Sequence, residues 1–220
     1  MSEPGFRLSL LELLYHDYLS KKQLSAFVGQ VSRAYTVGTL EGLAERGSRL
    51  TRRAAVLALG HLADYSSNDV LGRALRDDDR GVRTFAEDAL RLVWRRAGSK
   101  SQRKELDKIC RANTARRFHE ALVRATAVIA EAPDLAEAWN QRAIAHFGLG
   151  AYAESIADCH QALELNPYHF GAAAGLGQCY LELGKPRLAL ESFRRALALN
   201  PNLEGVRANV TALERTLGKK

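Results

Sequence analysis

Cysteine, proline, methionine and tryptophan are all scarce in this chain of 220 residues. It contains three cysteines, five prolines, one methionine and two tryptophans. The cysteines, Cys110, Cys159 and Cys179, are odd in number and form no CxxC pair, so the sequence predicts neither a disulfide framework nor a zinc site. We interpret them as small apolar core residues of a protein from a reducing, cytoplasmic compartment.

Long apolar runs and catalytic clusters are also missing. No stretch approaches the roughly 20 apolar residues that a transmembrane helix needs. Glu12, His16 and Asp17 interrupt the hydrophobic segment near the amino terminus, so we expect neither a membrane span nor an export signal. The six histidines are scattered singly, and no Ser, His and Asp arrangement stands out. We therefore predict a non-enzymatic protein without a cofactor or a metal.

The basic residues are concentrated at one place. The whole chain carries a net charge of +7, whereas the segment from Arg91 to Arg117 has ten basic residues against two acidic ones. Such a junction attracts phosphates or an acidic protein, or it is a solvated segment that keeps the chain soluble. Trp94 would add a stacking surface there or lie in the core of the preceding repeats. The predicted patch comprises Arg95, Arg96, Lys104, Lys108, Arg111, Arg116 and Arg117.

A repeat of 34 residues organises the second half of the chain. Pro133, Pro167 and Pro201 recur at this spacing, and Gly150 and Gly184 share it. Glycine ends the first helix of each unit, because it adopts the left-handed conformation without a steric penalty. Proline ends the second helix, since it cannot continue one. The pattern predicts pairs of antiparallel helices.

Residues 102 to 220 resemble a tetratricopeptide repeat array, since a 34-residue unit closed by proline is the signature of that family. Two units match strongly, Ala136 to His169 and Phe170 to Leu203. The unit before them is degenerate, because Arg116 replaces the glycine expected in its turn. The last helix, Glu204 to Leu217, would cap the exposed apolar end of the array.

The first half shows a second repeat, at an offset of 31 residues. Arg52 and Leu59 recur as Arg83 and Leu90, and each copy reads as a short helix, a polar turn and a second helix. The stretch LRDDDRGVRTFAEDAL, which begins at Leu75, resembles a HEAT repeat. The sequence therefore predicts HEAT-like repeats ahead of the tetratricopeptide units.

Three consecutive aspartates in RDDDRGVR raise the question of a metal site. The HEAT resemblance instead implies that Asp77 and Arg83 form a ladder tying neighbouring turns together. Asp79 precedes the helix that begins near Arg80, where a carboxylate caps unpaired backbone amides. Asp78 is left without a structural role. A hard cation requires converging oxygens from more than one turn, so we predict no metal here.

These patterns predict an all-α fold, an α-solenoid of HEAT-like repeats followed by tetratricopeptide repeats. No segment alternates with period two, so no sheet is expected. The predicted organisation is a HEAT-like domain over residues 1–96, a linker over 97–101 and the array over 102–220. Two amphipathic helices, Phe6 to Leu19 and Lys22 to Tyr35, open the first domain. The arrays form one continuous superhelix or hinge at the linker.

The tetratricopeptide resemblance implies a concave groove, lined by the first helix of each unit, that receives a peptide or a helix. No cation stands where a clamp for a terminal carboxylate needs one, so we expect an apolar or amphipathic segment. The predicted function is a protein-interaction scaffold or adaptor; an array that only spaces or dimerises is the alternative. The implied groove residues are Asn140, Ile144, Phe147, Ala174, Gln178 and Leu181, with Asn209 and Ala212 from the cap.

Two further functions stay open. The first is a nucleic-acid-associated or acidic-partner-binding protein that uses the basic junction 91–117, although no base-reading motif accompanies it. The second is an enzyme, because some HEAT-like proteins that the first half resembles act as bilin lyases or DNA glycosylases. Fold does not fix function, and the chain shows no catalytic constellation, so the adaptor is preferred.

Overall fold

The computed structural model describes residues 8–218, and within this range the regular elements are helices, with no strand. The predicted all-α class is confirmed. A 3-10 helix, Tyr65–Ser67, precedes α5. The α-helices are α1 Leu10–Lys21, α2 Leu24–Ala34, α3 Val37–Arg46, α4 Arg49–Leu62, α5 Asn68–Ala74, α6 Arg80–Arg95, α7 Lys100–Thr114, α8 Phe118–Glu131, α9 Ala136–Gly148, α10 Tyr152–Leu165, α11 Phe170–Glu182, α12 Pro186–Leu199 and α13 Glu204–Leu217.

The chain divides into two compact units, the first ending at Val93 and the second beginning at Trp94. This division lies inside α6, ahead of the predicted linker 97–101. In that linker Gly98 has a φ of +80°, and the side chain of Ser99 caps α7. The domain assignment with its boundary at the linker stays a prediction.

The first unit opens with the two expected helices, at shifted bounds. The predicted start of the first, Phe6, lies outside the described residues, and α1 begins at Leu10. Ser9 sets this start through a capping box, since its Oγ accepts from Glu12 N at 3.3 Å and its own N–H donates to Glu12 Oε2 at 2.8 Å. Lys22, with a φ of +57°, ends α1.

Asp77 joins neighbouring turns of the first unit, as predicted. Arg52 binds both of its carboxylate oxygens, with Nε 2.7 Å from Oδ2 and Nη2 2.9 Å from Oδ1. Arg83 donates from Nη1 to the Asp77 carbonyl at 2.8 Å. A two-bond arginine–carboxylate pair fixes direction as well as distance, so the pair sets the geometry of this turn.

Asp79 caps α6 as predicted, because its Oδ1 accepts from Val82 N at 2.9 Å. Arg53 binds the same carboxylate through Nε and Nη2, at 2.6 and 2.7 Å. These hydrogen bonds, that from Arg53 foremost, lower the pKa of Asp79 to about 2. Asp78 is exposed. Between residues 8 and 218, no three histidine, cysteine or acidic side chains are grouped so as to hold a metal ion.

The second unit consists of three helix pairs, α7 with α8, α9 with α10 and α11 with α12, followed by α13. The bounds of α13 are those predicted for the capping helix. Gly150 and Gly184 have φ values of +77° and +66°, so both turn glycines use the left-handed conformation for which they were predicted. In the part of the chain that the structure describes, no helix is long and apolar enough to span a bilayer.

Arg116 adopts the left-handed conformation that glycine takes in the other turns, with a φ of +58°. A non-glycine residue pays a conformational cost there. We expect Arg116→Gly to stabilise the second unit by about 1 kcal/mol. The reverse exchange, Gly150→Arg, is the matched control. Nothing lies within 4 Å of a Cβ at Gly150, so its expected loss of about 1 kcal/mol is a backbone effect alone. Urea unfolding measures the change in unfolding free energy of both variants, provided that the slope against urea concentration is unchanged. Changes of the same sign in the two variants would contradict a backbone cost at Arg116.

Candidate functional site

The six predicted groove residues lie on α9 and α11, the first helices of the two strong units. In each helix they follow the spacing i, i+4 and i+7, which places them on one face. The two sets differ by the 34-residue repeat, so α9 and α11 present equivalent faces. The sets are Asn140, Ile144 and Phe147 on α9, and Ala174, Gln178 and Leu181 on α11.

Exposure divides this face into an open part and a covered part. Ile144 is 40% exposed, whereas Asn140 is 8% exposed. The remaining predicted residues of α9 and α11 are half-buried. On α13, Asn209 is half-buried and Ala212 is exposed. The open part of the groove therefore begins at Ile144, one turn beyond Asn140.

An aromatic pair lies beside the open part. The rings of Phe147 and Tyr152 have centroids 5.5 Å apart, and the Tyr152 hydroxyl reaches Glu182 Oε2 at 3.5 Å. Leu183, just after α11, is 40% exposed. The sequence prediction missed Tyr152 and Leu183, since Tyr152 begins a second helix, α10, and Leu183 follows the end of α11. They extend the apolar surface toward the carboxyl ends of α9 and α11.

A buried polar cluster lies at the covered end. Glu137 is 7% exposed, with His169 Nε2 3.0 Å from its Oε2 and Gln141 Nε2 2.7 Å from its Oε1. The Nδ1 of His169 accepts from Ala172 N at 3.1 Å, so we infer that Nε2 carries the proton and donates to the carboxylate. Burial opposes ionisation of Glu137, but hydrogen bonds from His169, Gln141 and Asn140 hold its pKa below the ordinary value.

Asn113 connects this cluster to α7. Its Nδ2 donates to both the carbonyl oxygen and Oε1 of Gln141, each at 2.9 Å. Asn113 and Gln141 are both buried, so these bonds satisfy polar groups that would otherwise be costly to bury. The polar cluster thereby joins the first helices of all three repeats.

Trp94 packs over the cluster. Its side chain is 3% exposed, and its ring stacks on His169 with centroids 4.3 Å apart and an interplanar angle of 17°. The Phe170 ring lies 5.1 Å away. Neither predicted place for Trp94 is correct. It is no stacking surface for a ligand and lies outside the first unit, because its partners come from the start of α11, far along the chain.

Arg95 extends this contact to α7. Its Nη2 lies 2.6 Å from Asp107 Oδ1, and the nearby charge of Glu137 also acts on its guanidinium. Trp94 and Arg95 together contact or face α7, α9 and α11. The end of the groove at Asn140 is therefore covered by the chain's own residues.

The predicted basic patch is interleaved with carboxylates. Lys104, Arg111 and Arg116 are exposed. Arg96 is half-buried, and burial together with the neighbouring Arg103 charge lowers its pKa. Acidic groups therefore neutralise three of the seven predicted cations. The ion pairs are Arg95 with Asp107 at 2.6 Å, Lys108 with Glu105 at 2.5 Å and Arg117 with Glu120 at 2.9 Å.

The second unit is a helical-repeat domain, and residues 134–202 match the tetratricopeptide repeat family. The match confirms the predicted tetratricopeptide repeats in the part of the chain that holds α9 to α12. It does not extend to the first unit, so the HEAT assignment is not confirmed.

Known proteins are similar to part of this chain. A TPR repeat-containing protein of Rhizobium etli is 32% identical over 126 residues, which are 57% of this chain and 61% of that protein. Superkiller complex protein 3 of Homo sapiens is 34% identical over 82 residues, which are 37% of this chain and 5% of that protein. The chain thus spans less than two thirds of either relative.

A solved structure agrees with the fold. The first TPR domain of Spaghetti (RPAP3), bound to the HSP90 peptide SRMEEVD, superposes with a TM-score of 0.52 at 23% identity. The superposition covers 55% of this chain and 96% of that one. At this identity the likeness shows the fold.

Proposed function

We propose that the second unit is a non-enzymatic adaptor that binds a segment of a partner protein in the open part of the groove. One observation carries the proposal: Ile144 is 40% exposed on the first helix of a repeat. Phe147, one turn later on the same helix, and Gln178, at the equivalent position of α11, are half-buried. An exposed apolar side chain on such a face favours an interaction site there, because the concave face of stacked repeats is an extended binding surface.

The chemistry of the groove favours an apolar or amphipathic segment. Its six predicted residues include no cation, and Gln178 supplies an amide that both donates and accepts. The cation nearest in sequence, Arg142, binds both oxygens of Asp158 at 2.8 and 2.7 Å. The peptide SRMEEVD bound by the RPAP3 domain is acidic. Since this groove offers no free cation among its predicted residues, we propose a ligand of different chemistry.

A charge placed at Ile144 tests the groove. We expect Ile144→Glu to abolish capture of the partner from cell lysate, because the substitution buries an unpaired carboxylate in an apolar contact. Gln178→Arg is expected to act in the same way. Leu188→Glu is the matched control, since Leu188 is also helical and 42% exposed but lies on α12, a second helix.

Circular dichroism of each variant establishes that the helices are retained. The adaptor proposal predicts that the Leu188→Glu protein captures the same partner as the unchanged chain. Capture that persists with both Ile144→Glu and Gln178→Arg would remove the groove assignment. Equal loss with Leu188→Glu would place the interaction outside α9 and α11.

We infer that the first unit is built from HEAT-like repeats. The ion pair between Arg52 and Asp77 supports this. Asp77 lies in the turn before α6, and Arg52 lies near the start of α4, the equivalent helix of the preceding copy. Arg83, which is 31 residues after Arg52, repeats the contact to the turn through the Asp77 carbonyl. The first unit then serves as a second helical scaffold in the same chain.

The cysteines support a cytoplasmic, reducing environment for the adaptor. All three are free thiols. Burial raises the pKa of Cys110 to about 11 and that of Cys159 to about 12, so neither forms the reactive thiolate at neutral pH. These properties suit core residues. Nucleic-acid binding at the basic junction stays a prediction. We prefer the adaptor, because carboxylates are interleaved with the cations of the junction.

A further inference from the structure

The covered end of the groove is an aromatic subsite filled from within the chain. Trp94 lies flat on His169 and beside Phe170, and these two residues are 2% and 0% exposed. Offset-stacked aromatic contacts of this kind add to the burial of a large apolar ring. The subsite adjoins Asn140, one turn before the open surface that begins at Ile144. The inference that follows rests on the proposed function of that surface.

The floor of this subsite is held without help from Trp94. The imidazole of His169 is fixed at both nitrogens, by the Ala172 N–H and by the carboxylate of Glu137. Gln141 in turn holds Glu137. These bonds link α9 to α11 directly and fix the ring of His169 through groups other than Trp94.

The residue after Trp94 fits its surroundings by charge. Arg95 lies against Asp107 on α7, with the carboxylate of Glu137 nearby. A cation that follows the aromatic residue is thus matched by two acidic groups. The Arg95 side chain is 49% exposed in this pair, so the charge selects the ligand while the buried ring provides most of the contact.

We propose that Trp94 and Arg95 are an intramolecular ligand, and that the subsite accepts an aromatic residue followed by a basic residue from the partner protein. The partner segment then runs from this subsite to Ile144 and beyond. Because Trp94 occupies the subsite in the unbound chain, the partner must exchange with it. Trp94 thereby lowers the affinity of the full groove for the partner. Trp94 and Arg95 also indicate which two partner residues occupy the subsite, an aromatic residue followed by a basic one.

A peptide of the chain's own sequence tests the exchange. The probe is a fluorescein-labelled peptide of residues 90–99, LRLVWRRAGS, measured by anisotropy against the full chain. We expect it to bind the Trp94→Ala protein at least tenfold more tightly than the unchanged protein. A probe with alanine in place of Trp94 is expected to bind at least tenfold more weakly. Trp139→Ala is the matched control protein, since Trp139 lies on α9 with its Nε1 bonded to the Pro133 carbonyl.

The fluorescence of Trp94 gives a second measurement that does not depend on the Trp94→Ala protein. In the Trp139→Phe chain, Trp94 is the single tryptophan. Excess unlabelled peptide with phenylalanine in place of its tryptophan should shift the emission of Trp94 to the red and raise its quenching by acrylamide, because the indole leaves a buried site. An unchanged emission at saturating peptide overturns the proposal and makes Trp94 a permanent core residue. That result leaves the Ile144→Glu capture test unaffected, so the two proposals fail separately.

Discussion

Replacing Phe193 by alanine is expected to destabilise the second unit by about 3–5 kcal/mol, which is the usual cost of removing a buried aromatic ring. Phe193 is 0% exposed, and its ring fills the space that the absent side chain of Gly177 leaves: a Cβ at Gly177 would overlap it. Val210 and Leu213 of α13 complete the surrounding core. Urea unfolding monitored by circular dichroism measures the loss.

Enlarging Gly177, the residue that faces the Phe193 ring, is also expected to destabilise the second unit. Gly177→Ala should cost about 1–3 kcal/mol through overpacking against the ring. In the preceding unit the equivalent positions are Ala143 and Cys159, both buried in one cluster. The double variant Gly177→Ala with Phe193→Cys recreates that pairing, so its cost should be less than the sum of the single costs. Strict additivity would show that the two positions do not compensate each other.

Replacing Glu12 by glutamine is expected to cost the first unit about 2–3 kcal/mol at pH 7. The carboxylate is 5% exposed and accepts from Ser48 Oγ at 2.6 Å, Ser9 N at 2.8 Å and Thr51 Oγ1 at 2.8 Å. These hydrogen bonds, that from Ser48 foremost, lower its pKa from 4.5 to about 2. A shift of one unit corresponds to about 1.4 kcal/mol between the two protonation states.

The pH dependence follows from the same shift. A depressed pKa in the folded state contributes stability that is complete above about 4.5 and is lost as the pH falls toward 2. The difference in unfolding free energy between the unchanged chain and Glu12→Gln should therefore shrink over that window. Glu45→Gln is the control, since Glu45 lies at the surface in an exposed ion pair and should cost less than about 1 kcal/mol. A gap that stays constant from pH 7 to pH 2 would contradict the buried-carboxylate account.

Much of the second unit could be predicted because its signals are local. Proline and glycine fix where helices end, so α13 has its predicted bounds and Arg116 has the left-handed φ that its alignment with Gly150 implied. The capping box of α1 was equally local. Ser9 and Glu12 have the spacing that places a helix start at Leu10, and this signal was missed.

The covered end of the groove could not be predicted, since it depends on contacts between distant segments. Nothing near Trp94 in the sequence identifies His169 and Phe170 as its neighbours. Glu137 has no counterpart in the next unit, where Gly171 takes the equivalent position, so the repeat does not reveal the buried cluster. Asn140 was assigned to the groove from the tetratricopeptide resemblance, which does not show that Trp94 lies over the cluster to which Asn140 belongs.

We propose above that a partner segment binds on the face of α9 and α11 that begins at Ile144. The most direct test is the dissociation constant of the captured partner's binding segment for the unchanged, Ile144→Glu and Leu188→Glu chains, measured by titration calorimetry. We expect a loss of at least about 30-fold for Ile144→Glu, the effect typical of a central interface residue, and a change of less than about threefold for Leu188→Glu. Equal affinities of all three proteins would contradict it.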